Sequence, residues 1–267
     1  MLRNVTFKSL RDIRRSFVWW SIGLIGFVAM IVSVYPTIRE NPNLNQLAKD
    51  YPEALQAFIA FGGVVDYSSA AGYLGIELFS IMVPLLLLVA AIGTGAGAIA
   101  GEEERGTLEL LLANPVSRTK VVLEKTLALV VEITALGVVL WLALWVGAQA
   151  ADMDISAGHL AAATLSAVLL ALAYGAIAVL LGAATGKRAL AIGVTAAAGV
   201  AAYLVNGLAP LVDALEVPQK LSPFYHYAAG DPLRHGISFG HLAVLVAIAV
   251  VAIGLAPVLF GRRDLAT

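Results

Sequence analysis

Between two apolar stretches the chain reads GEEERGTLELLLANPVSRTKVVLEK, Gly101–Lys125, and its first nine residues hold Glu102, Glu103, Glu104, Arg105 and Glu109. Only 13 % of the whole sequence is charged, so this is its densest polar block. Two uses fit such a cluster. It is either a solvated loop that carries charges, or a docking surface with charges at the rim and leucines Leu108, Leu111 and Leu112 in a partner's groove. Catalysis is not expected from it, because its spacing does not match an intramembrane metalloprotease and no serine is paired with a base. With no cysteine, disulfides, thiolate metal sites and cysteine nucleophiles are excluded. His159, His226, His235 and His241 show no His-x-x-x-His or comparable spacing, so no metal site is expected.

Two glycine motifs resemble phosphate cradles and fail the test. GTGAGAIAG, Gly93–Gly101, lacks the preceding strand that a dinucleotide fingerprint needs. Gly93, Gly97 and Gly101 are four apart and share one helix face, which predicts close helix packing in a membrane. In GAATGKR, Gly182–Arg188, only three residues separate the glycines, and Arg188 stands where Ser or Thr would bind magnesium. Any ATP that drives this protein must be hydrolysed by a separate chain.

The elements that hold these residues follow from composition. Sixty per cent of the 267 residues are hydrophobic and the mean hydropathy is +0.88, which is too little polar surface for a water-soluble globule. Six stretches are long enough to cross a bilayer: 17–38, 73–100, 121–150, 159–185, 189–212 and 240–260. The fourth and fifth are separated only by Gly186, Lys187 and Arg188, which read as a tight turn. Thirteen of the 17 Lys and Arg residues then fall on one side, which predicts that both termini are cytoplasmic. A net charge of −1 gives no pull toward nucleic acid. The expected class is an all-α polytopic membrane protein forming one transmembrane domain over 1–267. Residues 1–16 space apolar and basic side chains as a helix lying in the interface would, or they are a basic flank that sets topology.

Within the polar block, three glutamates suit a helix N-terminus, Asn114–Pro115 breaks the helix, and Ser117 is placed to cap the next one. Glu77 and Glu132 fall inside spans two and three, where ionisable groups are costly. Each either reaches an interface or a polar partner (Lys125 for Glu132) or handles substrate or protons. Tyr51–Gly63, YPEALQAFIAFGG, is compatible with a short helix at the outer surface. Phe224, Tyr225 and Tyr227 near Pro223 have the composition of an interfacial aromatic belt.

The block GEEERGTLELLLANPVSRTKVVLEK resembles the cytoplasmic loop of ABC-2-type permeases, the membrane subunits of ATP-binding-cassette exporters. The matching positions are Glu103, Glu104, Arg105, Gly106, Thr107, Leu108, Glu109, Pro115, Ser117, Arg118 and Lys125. LSPFYHYAAGDPL, Leu221–Leu233, is similar to the segment before the last span in that family. The resemblance implies that Glu102–Arg118 holds a coupling helix seated on an ATPase subunit, and that the Phe224 region re-enters the outer leaflet as a gate. It implies two ATPase subunits, which bind ATP and magnesium, and two membrane halves, either a homodimer or a pair with a second ABC-2 permease. This chain itself needs no cofactor. The function implied is export of a hydrophobic or amphipathic compound across a prokaryotic plasma membrane. A non-transporting relay to an outer partner and an ATP-independent carrier or channel remain as alternatives.

Overall fold

A computed structural model describes residues 5–40, 52, 55–56, 66–113 and 116–263. Among them no strand occurs, and six helical stretches are long and apolar enough to cross a membrane. In chain order they are α1 (Val5–Arg39), the composite of α2 (Ala70–Leu74), a π-helical turn (Gly75–Phe79) and α3 (Met82–Ala98), then α6 (Arg118–Ala150), α7 (Ala157–Thr185), α8 (Arg188–Leu208) and α12 (Phe239–Arg262). Between α3 and α6 lie two short helices, α4 (Ala100–Glu104) and α5 (Thr107–Leu112). Between α8 and α12 lie α9 (Glu216–Leu221), α10 (Pro223–Ala228) and α11 (Pro232–His235).

Local chemistry sets several boundaries. Ser117 Oγ accepts the Lys120 N–H at 3.2 Å, and Ser156 Oγ accepts that of His159 at 3.1 Å, so each caps a long helix. Gly186 closes α7 with φ +68°, a left-handed cap that glycine adopts without cost, and α8 starts two residues later as the tight turn expected there.

The second span is not one continuous α-helix. Pro84 lacks an N–H, and its ring clashes with the carbonyl four residues earlier, that of Ser80. The chain answers with the π turn and a break at Ile81 (φ −133°) before α3 resumes.

Helix α7 is the centre of the bundle. Two-thirds of its most apolar stretch is buried, 67 %, against 17 % for α1 and 22 % for α8, which leave their apolar surface to lipid or a partner. It packs on α3, α12, α6 and α8. The α3–α7 contact is closest at Gly95, where an added Cβ would collide with the Gly175 carbonyl, and at Gly175, whose own Cβ would lie 3.2 Å from that of Ala91.

The N-terminal segment differs from the expectation of a separate interfacial helix over 1–16. Val5–Arg39 is a single helix of 35 residues, about 52 Å long, and no break occurs near residue 16. That sequence has no proline or glycine from Val5 to Ser21, so nothing interrupts the hydrogen-bond ladder. The surface helix expected at Tyr51–Gly63 falls almost wholly outside the described residues.

Candidate functional site

The polar block forms a compact elbow at the end of the bundle that carries most of the basic residues. α4 follows α3 after an interruption at Ile99 (φ −113°), Gly106 turns the chain with φ +67°, and α5 runs on from it. The left-handed backbone requires glycine there, since a side chain would be strained even though the space is open.

Glu102 is the hub. Its residue is 4 % exposed, and its Oε1 lies 2.7 Å from Lys125 Nζ and 3.6 Å from Arg105 Nη2. Its Oε2 accepts from Thr107 Oγ1 at 2.5 Å and stands 3.8 Å from Lys8 Nζ. One carboxylate therefore joins α1, α4, α5 and α6. Burial alone would raise this carboxyl. Hydrogen bonds from Lys125 and Thr107, with the charges of Lys125 and Lys8, outweigh that and hold it at about 2.

Its two neighbours reach other elements. Glu103 forms an ion pair with Arg263, the residue just after α12. Arg118 Nη1 donates to the carbonyls of Phe260 (3.1 Å) and Arg263 (2.7 Å), satisfying acceptors that the end of α12 leaves unpaired. Glu104 accepts the backbone N–H of Arg188 at 2.8 Å, at the first turn of α8. Glu124, which sequence reasoning passed over, accepts the N–H groups of Val5 (2.5 Å) and Thr6 (3.2 Å) and so caps α1. Its only sequence signal is an i, i+4 pairing with Lys120, which reads as an ordinary surface pair.

This geometry corrects part of the expected division of labour. Leu108 and Leu111 do not point outward into a partner's groove; they are 1 % and 3 % exposed and belong to the chain's own core. Glu102, Glu103 and Arg118 are taken up by contacts inside the chain. The exposed residues of the elbow include Glu104, Arg105, Gly106, Glu109, Ala113 and, after the break, Ser117, with Thr107 half-buried. Pro115 and the Leu112 side chain lie outside the described residues.

The glycine expectation also shifts by two residues. Gly93 has nothing within 4 Å of where a Cβ would stand, and Gly97 and Gly101 face the Arg188 side chain rather than a helix backbone. The face that packs is that of Gly95.

Glu132 is 2 % exposed on α6, and among the described residues neither carboxylate oxygen has a hydrogen-bond partner. It does not pair with Lys125, which is committed to Glu102. Thr94 of α3 is its polar neighbour, without a hydrogen bond of good geometry. Glu77 lies in the π turn, half-buried, and accepts from Tyr67 Oη at 3.4 Å.

At the far end, Phe224 and Tyr227 on α10 are buried rather than forming a belt. Phe224 meets Tyr203 edge-on with centroids 5.4 Å apart, and Tyr227 Oη donates at 2.6 Å to the Phe79 carbonyl, beside the break in span two. Tyr225 turns away and lies edge-on to His226 and His241. Those histidines approach Nδ1 to Nδ1 at 3.1 Å, although they are fifteen residues apart. His226 Nε2 faces the Lys220 carbonyl at 3.0 Å and must donate there, so His241 Nδ1–H donates to His226 Nδ1. Among the described residues no group of three or more His, Cys, Asp or Glu is arranged to hold a metal.

Six apolar helices with a charged elbow between the second and third describe a membrane chain with a polar handle at one end. The sequence profile of the ABC-2 family transporter proteins matches residues 3–265. The chain belongs to the ABC-2 transporter family. No curated protein matches the sequence. As an ABC-2 chain it is an integral, multi-pass membrane component of transport, of a family that works with ATP-binding-cassette ATPases.

Proposed function

We propose that this ABC-2 chain is the permease subunit of an exporter, moving a hydrophobic or amphipathic compound out of the cytoplasm or inner leaflet of a prokaryotic plasma membrane. A separate ATPase subunit binds ATP and magnesium, two such subunits serve two membrane halves, and a homodimer is the default pairing. The excess of Lys and Arg at the elbow end supports a cytoplasmic position for that end and for both termini. One observation carries the reading: three consecutive glutamates bind the elbow to α1, α6, α8 and the end of α12. A force applied to the exposed Glu104, Arg105 and Glu109 reaches several spans at once. A merely solvated loop has no need of such anchorage.

In this scheme Glu104, Arg105, Gly106 and Glu109 meet the ATPase, while Glu102, Glu103, Thr107 and Arg118 pass its motion on. Glu132 and Glu77 lie along the route, and α10, with Phe224 and Tyr227, closes its outer end. The test is co-purification of the chain with its ATPase, followed by ATPase measurements in proteoliposomes with amphipathic compounds added. Stimulation by such a compound is the expected result. An ATPase that binds but responds to none of them assigns the chain to a non-transporting relay, and absence of any ATPase partner overturns the coupling role.

A further inference from the structure

A cavity of about 430 Å³ opens beside the elbow, between α1, α3 and α6, with the side chain of Arg188 from α8 at its edge. Its volume lies within the range of small-ligand sites. One end is charged: Glu102, Lys125, Arg105 and Arg188 line it, with Asp12 of α1 opposite. The other end is apolar, walled by Ile13, Trp20, Val89 and Ala90. Gly93 and Gly97 form part of the wall between, and their missing side chains keep the space open.

The charges are not balanced. Lys125 and Glu102 neutralise each other at 2.7 Å. Arg188 has no carboxylate within ion-pair distance among the described residues, because Glu104 takes only its backbone N–H. Its side chain lies over α3, with Nε 3.8 Å from the Cβ position of Gly97 and Cδ 3.6 Å from that of Gly101. Arg105 is largely exposed and shares Glu102 at the longer distance of 3.6 Å. Two guanidinium groups, those of Arg188 and Arg105, thus line the cavity together with Asp12, whose carboxylate is in no ion pair among the described residues.

Beyond Val89 the same face of α3 continues. A second, almost wholly apolar cavity of about 190 Å³ lies between α3 and α8, lined by Leu85, Val89, Val200, Tyr203 and Phe224 among others. Leu85, Val89, Gly93 and Gly97 are spaced by four, so one uninterrupted strip of α3 connects the charged end to the apolar one.

We infer that this cleft binds an anionic amphiphile, with its phosphate- or carboxylate-bearing head on Arg188 and Arg105 and its apolar chain along the α3 strip past Trp20 and Val89. The inference names the substrate class of the exporter proposed above and rests on that reading. A head bound there competes with Glu102 for Arg105, which lies in the elbow itself, so occupancy is felt where the ATPase would dock.

Trp20 is a built-in reporter. The protein is placed in phosphatidylcholine nanodiscs, and quenching by bromododecyl phosphate is measured as the difference between wild type and Trp20→Phe. Saturable quenching is expected, about tenfold weaker in Arg188→Gln, where one charge-assisted contact is lost, and absent in Gly97→Leu, which fills the cavity. Bromododecylphosphocholine should bind weakly, with no response to Arg188→Gln, and inorganic phosphate should not displace the anionic probe. Equal quenching by both head groups, or by wild type and Arg188→Gln, overturns the assignment. Displacement by inorganic phosphate reduces the site to an ion site, and a second copy of the chain shielding Trp20 from every probe removes it. The equivalent experiment with brominated phosphatidylglycerol separates a resident lipid, which quenches without competition from dodecyl phosphate, from a shared site. Loss of probe binding with ATPase stimulation intact defeats this inference alone. Binding without any ATPase partner defeats the exporter reading and leaves the cleft standing.

Discussion

At the scale of single residues, Glu102 stays ionised in a nearly closed site because two hydrogen-bond donors, Lys125 and Thr107, and three cations, Lys125, Arg105 and Lys8, surround it. Its carboxyl is held at about 2 against an ordinary 4.5, so its ionised form favours the folded chain. The sign follows from the depression: the stabilisation is complete above about pH 4.5 and fades as pH falls toward 2. Glu102→Gln should therefore lower stability by about 2–3 kcal/mol at pH 7, and the gap from wild type should close through that acid window. Tryptophan-monitored melting in detergent across pH 2–7 checks this, and a gap independent of pH contradicts it. Sequence alone marked Glu102 as polar and functional but not where it points. Two of its partners, Lys125 and Lys8, are 23 and 94 residues away, and adjacent glutamates with the same side chain go to three different destinations. Only Ser117, whose capping bond is local, was fully legible.

At the scale of elements, the number of membrane-length helices was readable because lipid imposes a length and a composition on each one, whereas the start of the first was not. Nor was the packing face of α3. Residues 93–98, GTGAGA, are small on every side, so spacing by four fits Gly93 and Gly97 as well as Gly95. Only the position of α7 separates them. Gly95→Leu should cost about 1–3 kcal/mol by driving its side chain into the Gly175 backbone, while Gly93→Ala should be near neutral, both measured as shifts in melting temperature. The break in span two gives a second test. Tyr227→Phe leaves the buried Phe79 carbonyl without its donor and should cost about 1–3 kcal/mol. Pro84→Ala removes the ring clash and lets the helix close across the break, bringing the Val83 N–H to the Phe79 carbonyl, so the penalty of Tyr227→Phe should shrink in the Pro84→Ala background. Additive losses would show that the tyrosine does not serve the break. The unbroken α1 was legible in principle, since no residue from Val5 to Ser21 stops a helix, but its basic content drew the reading toward the interface.

At the scale of the whole molecule, the elbow divides into an anchored inner side and a bare outer side. Because Arg105 and Glu109 belong to the bare side, Arg105→Ala combined with Glu109→Ala should leave folding and membrane insertion intact. It should reduce substrate-stimulated ATPase activity in proteoliposomes at least tenfold, and full stimulation would dismiss these residues as contacts. The absence of cysteine makes the chain a ready background for single-cysteine crosslinking at either position. The final helix deserves to be followed from end to end. α12 has 24 residues, a rod of about 36 Å, with Arg118 and the Glu103–Arg263 pair fastening one tip and His241 hooked to His226 of α10 at the other. Under the function proposed above, a helix tied at both tips acts as a pushrod between the elbow and α10, and Pro257, which interrupts its hydrogen-bond ladder, is the point inside it where travel can be lost.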